Sequence, residues 1–241
     1  MNVYSLARKE IRSSLPSALV FLVVIFGCQI YVHGKQDNWD ALGVLLPAVI
    51  VPMLLLPIWA MIVMYRLFSM EWRSNAIYLL LPLPIRGWQF ITAKLVGMLS
   101  GWLLVVVAGG ISALFLVRET IDRITASINS LSMIVVFSLL GLLVLTLLLS
   151  IIVVFAYLSS RLVRRFRFAC YFLLLILTLW GLLELSTAIA SATQWLPSLQ
   201  IDAPEAGVIS LRSSVFLAQM FFAAGLFYLC AWIYDAKLEV K

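Results

Sequence analysis

Six stretches of this chain are apolar for about twenty residues or more: Leu15–Val32, Leu42–Tyr65, Leu95–Val117, Leu131–Tyr157, Phe168–Ser191 and Val215–Tyr234. No other feature narrows the choice of fold as much. A helix rising about 1.5 Å per residue needs about 20 apolar residues to cross the hydrocarbon of a bilayer. Inside that layer every backbone amide must find its partner within the protein, so such stretches are helices. The alternating pattern of a membrane barrel is missing. Composition agrees: the chain is 64% hydrophobic and 12% charged, where a soluble domain carries about 25% charged residues. The expected fold is all-α, a single polytopic membrane domain over residues 1–241 with six transmembrane helices and no repeat or soluble domain.

Orientation follows from the basic residues. Thirteen of the seventeen Lys and Arg fall at the chain ends and in the second and fourth loops. The remaining four, Lys35, Arg118, Arg123 and Arg212, lie on the other side. Cytoplasmic loops collect Lys and Arg, so both termini are expected in the cytoplasm. The net charge of +6 largely reflects this bias, and no basic-aromatic patch points to nucleic acid. Membrane lipids are the expected surroundings. The first apolar stretch is expected to stay as a helix, because bulky Tyr31-Val32-His33 follows where a signal peptide would carry small residues. Cys28, Cys170 and Cys230 each fall inside a span and read as small hydrophobes in helix packing.

Residues 1–14 read as an amphipathic interfacial helix. Val3, Tyr4, Leu6, Ala7 and Ile11 gather on one side, with Arg8, Lys9 and Arg12 on the other. Glu10 breaks the pattern by falling on the apolar side. Either it lifts its carboxylate into water, the simpler reading, or it pairs with a basic group beneath the bundle. Span two carries Pro47, Pro52 and Pro57. Each removes a backbone donor, so this helix should bend or locally unwind, either as plain structure or as the lining of a substrate pathway to which Pro52 and Pro57 would belong. In span three, Gly97, Gly101, Gly109 and Ser112 share one face, which predicts close packing within the bundle. The spacing of Ile121, Ile124, Ile128 and Leu131, with Glu119 and Arg123 paired one turn apart, predicts that helix four starts early, outside the membrane. The last outer loop, 192–212, carries Trp195, Pro197, Pro204 and Gly207 and reads as a short re-entrant or surface helix.

Chemistry-bearing motifs are few. The single His33 and dispersed cysteines make no usual zinc site. No phosphate loop, His-Glu-x-x-His or Gly-x-Ser-x-Gly occurs, and no nucleophile has an evident base. The chain is not expected to be an enzyme and is expected to carry no cofactor or metal of its own. Glu184 is the one acid well inside a span. Intramembrane acids are functional candidates; the bland alternative is an interfacial Glu on a shorter helix. An alternative function rests on it: a stand-alone ion- or proton-coupled carrier or channel.

Between spans two and three the chain does more than a connector of about 2–8 residues needs to. Residues 69–86 open with Glu71, Trp72 and Arg73, continue as an amphipathic helix through Leu79, Leu80 and Leu81, and stop at Pro82 and Pro84 before Arg86. With the Arg8-Lys9-Glu10-Ile11-Arg12 run before span one and Lys94 before span three, this stretch resembles the ABC-2 type permeases of ATP-driven exporters. Pro82 departs from that family's usual pattern. The resemblance covers essentially the whole chain and implies a permease subunit of the bacterial plasma membrane. Residues 69–86 would be the coupling helix, docking a cytoplasmic ABC ATPase through Glu71, Trp72, Arg73, Leu80, Pro84 and Arg86. Arg161, Arg164 and Arg165 would form a second cytoplasmic contact or serve only as topology charges. ATP and Mg would be bound by the partner ATPase. A second permease copy or paralogue would complete the dimer, and the cargo would be an amphipathic substrate, as in the exporters of antimicrobial and phenol-soluble-modulin peptides.

Overall fold

The computed structural model describes residues 3–35, 43–44, 46–73, 86–116, 131–163, 166–192, 198–203 and 207–238. It contains six helices long and apolar enough to cross a membrane: α1 (Val3–His33), α2 (Val51–Arg73), α3 (Gly87–Leu116), α4 (Leu131–Leu162), α5 (Arg167–Ala192) and α6 (Ser213–Ile233). The protein is therefore a multi-pass membrane protein. Contacts between helix termini show which ends lie together. The start of α3 meets the start of α1 through Lys94 and Glu10, and the end of α6 through Gly87 and Asp235. The ends of α2 and α4 meet through Trp72 and Arg161. We call this end of the bundle the base.

Helix α1 corrects one expectation. Residues 3–14 do not form a helix separate from the first span; from Val3 the chain runs into it without a break. Pro16 lies inside that helix, and one buried row, Leu6, Glu10, Ser14 and Ala18, continues straight through it. Tertiary packing of that row outweighs the amphipathic pattern that placed the segment flat on a membrane surface.

The proline expectation for span two holds at its start. Leu46–Ile50, containing Pro47, is a π-helical turn leading into α2. Pro52 has no N–H to return to the Ala48 carbonyl four residues back. The Gln29 side chain of α1 supplies the missing donor, its Nε2 lying 3.3 Å from the Ala48 oxygen. Gln29 also donates to the Gly109 carbonyl at 3.1 Å and accepts from Ser112 Oγ at 2.5 Å. One buried amide thus ties α1, the turn before α2, and α3 far from the base. Replacing it by Leu strands these partners in a low-dielectric site, where each unsatisfied group costs about 1–3 kcal/mol. Gln29→Leu is expected to lower the thermal midpoint in detergent by several degrees, and Gln29→Glu to fail to restore it because a carboxylate donates no hydrogen bond to the carbonyls. An unchanged midpoint in Gln29→Leu would rule the amide out as a tie.

The most extensive helix contact joins α1 and α3, along the small-residue face expected from the sequence. A Cβ on Gly101 would sit 3.0 Å from Trp59 and 3.4 Å from Ala18. Buried Trp59, Met64 and Phe68 of α2, Met98 and Trp102 of α3, and Leu148 and Ile152 of α4 belong to the central core. The opposite faces are as apolar as the core: Leu19, Val23, Ile58, Leu103 and Leu173 are exposed, as lipid-facing positions are. Helix α5 is the least covered of the six and packs on α4 and α6.

Between α5 and α6 the structure departs from the sequence reading. In place of a re-entrant or surface helix stand two antiparallel strands, β1 (Ser198–Ala203) and β2 (Gly207–Arg212), in register from Ser198 opposite Arg212 to Ala203 opposite Gly207. The alternation Leu199-x-Ile201 and Ile209-x-Leu211 has the period of a strand. The all-α expectation thus holds for the six spanning helices, with this ribbon as the exception. The early start of helix four, with Glu119 and Arg123, falls in residues 117–130, outside the described residues.

Candidate functional site

Lys94 lies two turns into α3, where flanking Phe90, Ile91 and Leu95 are all buried. It is itself only 1% exposed, and an isolated ammonium there would cost several kcal/mol. Its surroundings compensate. Nζ is 2.9 Å from Glu71 Oε2 at the end of α2 and 3.3 Å from Glu10 Oε1 of α1. It donates to the Leu67 carbonyl at 3.1 Å. Three oxygens therefore surround a group with three N–H bonds. The rings of Phe68 and Phe90 lie 5.1 and 4.9 Å from the same nitrogen, presenting their negative faces. Lys9 Nζ, half exposed, reaches Glu71 Oε1 at 3.4 Å. The result is an alternating chain, Lys9–Glu71–Lys94–Glu10, that joins three helices at the base.

The approach of α1 to α3 that makes this possible depends on Gly97, one turn beyond Lys94. A Cβ there would fall 2.7 Å from Glu10 Cβ and 2.9 Å from its carbonyl carbon. The contact is sealed by Ser14 Oγ, which donates to the Gly97 carbonyl at 2.7 Å. Of the two readings open for Glu10, the structure shows the second: its carboxylate is 2% exposed and paired beneath the bundle. Arg8 and Arg12, on the same helix, are exposed.

The residues expected to dock a motor separate into three groups. Glu71 belongs to α2, which runs unbroken to Arg73, so 69–73 is the end of a spanning helix and not the start of a separate one. Its side chain is 8% exposed and faces two lysines. Trp72 faces α4: the Arg161 guanidinium lies 5.1 Å from its ring and 4.9 Å from that of Tyr157, and Nη2 donates to the Tyr157 hydroxyl at 2.5 Å. Arg161 is thereby engaged within the chain. Arg73 and Arg86 are exposed, and the Arg86 carbonyl accepts the Gln89 and Phe90 amides as α3 begins. Leu80, Pro84, Arg164 and Arg165 lie outside the described residues.

The expected pathway residues do not come together. Pro52 and Pro57 sit in the first half of α2, partly buried and buried. Glu184 stands exposed on α5, between Leu183 and Leu185, which are exposed as well. Among the described residues no three His, Cys, Asp or Glu side chains gather as a metal site would require.

Beside the ion cluster, Lys9, Glu10, Ser13, Leu67, Met70, Glu71 and Arg73 line an open cleft of about 480 Å³ between α1 and α2. Two members of these polar sites were missed from the sequence. Lys94 read as an interfacial charge because span three was begun at Leu95; its position four residues beyond Phe90, next to buried Leu95, was the available sign. Gln29, the one amide in span one, was passed over, although polar groups within a span are functional candidates. Comparison with known proteins found no matching family model, no matching curated protein and no matching solved structure.

Proposed function

We propose that this chain is the membrane-spanning permease subunit of an ATP-driven exporter in a bacterial plasma membrane. In this reading both termini are cytoplasmic, the ATP is hydrolysed by a separate subunit, and an amphipathic substrate, a peptide in the favoured case, moves outward. One observation carries the reading beyond the resemblance: the end of α2, which leads directly into residues 74–85, is bound to α1 and α3 by buried ion pairs. A permease must convert a push on that connector into motion of its spans. A loose connector would absorb the push. Here Glu71 clamps the connector's root to two other helices, and Trp72 passes the link to α4 through Arg161. Glu71 thus acts as an internal strut, and motor contact falls to the connector itself, with Leu80 and Pro84, and to exposed Arg73 and Arg86.

The test is co-purification with the ATPase encoded beside this chain, followed by ATP turnover in lipid. A stable complex is expected, and Leu80→Asp should release the ATPase while leaving the permease's thermal midpoint unchanged. Glu71→Arg is a poor probe of contact, since it would set a third cation among Lys9 and Lys94. If wild-type chain binds no ATPase in lipid or detergent, the exporter reading fails.

A further inference from the structure

The cleft between α1 and α2 has the chemistry of a phosphate site with an apolar floor. Its cations are Lys9, whose side chain is 56% exposed, and exposed Arg73, with the Ser13 hydroxyl on the α1 side. Its two carboxylates, Glu10 and Glu71, also line the cleft and are already paired with Lys94, which lies outside it. Three cations against two carboxylates leave one positive charge, which one phosphodiester would neutralise. Leu67 and Met70 supply the floor.

Position along the helices indicates the source of that phosphate. Lys9 and Ser13 precede the apolar stretch of α1 that begins at Leu15, and Glu71 and Arg73 follow the apolar stretch of α2 that ends at Tyr65. The cleft therefore stands at headgroup depth between two membrane-crossing helices. Basic pockets between such helices bind anionic headgroups. We propose that the cleft is a binding site for one anionic phospholipid of the leaflet at the base, with its phosphate held by Lys9 and Arg73 and its glycerol backbone against Leu67 and Met70. Bound there, the lipid shares Lys9 with Glu71 and so touches the strut at the root of the connector. The lipid site does not depend on the exporter reading, and its test needs no ATPase.

Purified protein in detergent, titrated with phosphatidylglycerol or phosphatidylcholine and observed by native mass spectrometry, tests the proposal, with glycerol 3-phosphate as the soluble arm. One phosphatidylglycerol per chain is expected to bind well below the concentration at which phosphatidylcholine does. Lys9→Gln and Arg73→Gln should each weaken binding about fivefold, and together about thirtyfold. Arg8→Gln, exposed on the same helix but outside the cleft, should stay within about twofold. Ser13→Trp, which fills the cleft and changes no charge, should abolish the bound lipid. Equal binding of phosphatidylcholine, or affinity unchanged in the double variant, overturns the site. Glycerol 3-phosphate binding as tightly as phosphatidylglycerol overturns the lipid assignment.

Discussion

Lys94→Met is expected to destabilise the protein by about 3–5 kcal/mol, the cost of leaving buried charge without its partner. The side chains are similar in length, so packing changes little. What is lost is the cation placed between Glu10 and Glu71, which lie 3.3 and 2.9 Å from it. Lys9 still reaches Glu71; among the described residues Glu10 keeps no ion pair. In a chain of this size the thermal midpoint in detergent should fall by about 10 °C. A companion variant separates charge from shape. Glu10→Gln, Glu71→Gln and Lys94→Met together remove all three buried charges at near-constant volume, and such exchanges are often neutral or stabilising. The triple variant is therefore expected to recover most of the loss. If Lys94→Met melts with the wild type, the buried ion cluster does not exist in the folded protein. If the triple variant melts no higher than Lys94→Met, the loss comes from packing around Phe68 and Phe90 and not from unpaired charge.

Gly97→Leu should have an effect of comparable size by a different route. Its first added carbon would overlap the Glu10 side chain and backbone, at 2.7 and 2.9 Å, and a backbone cannot rotate aside as a side-chain tip can. Overpacking of this kind costs about 1–3 kcal/mol and occasionally more. Here α1 must also move away from α3, lengthening the Glu10–Lys94 pair and the Ser14 hydrogen bond at once. A loss of about 4 kcal/mol is expected, read as the thermal midpoint in detergent. Gly110→Leu is the internal control: nothing lies within 4 Å of a Cβ at that position, and exchanging Gly for Leu in a helix favours folding by up to about 1 kcal/mol. It should melt at or slightly above the wild type. Equal losses from both substitutions would show that helix backbone effects, and not the α1–α3 contact, set the result.

The six crossings, the close-packing face of α3 and the disturbance at the prolines of span two were legible in the sequence. Each follows from a local rule: the apolar length needed to cross a bilayer, the space left by residues without side chains, and the donor that proline lacks. Leu46–Ile50 and the fit of Gly101 against Trp59 and Ala18 are the structural forms of those rules. The ion cluster was only half legible. Glu10 was seen to break its helix pattern, but nothing along the chain says which lysine or arginine lies beneath it, because Glu10 and Lys94 are 84 positions apart. Glu71 was read as an outward contact because sequence shows the polarity of a residue and not the direction it faces. A stretch of 1–14 with an amphipathic pattern can lie on a membrane or continue a span, and only the contacts of Glu10, Ser14 and Ala18 with α3 decide between them. Sequence by itself thus determined that this chain crosses a membrane six times and where its helices pack closely. Tertiary structure alone decided which charges meet, because burying Lys94 is favourable only where Glu10, Glu71 and the Leu67 carbonyl converge from two other helices.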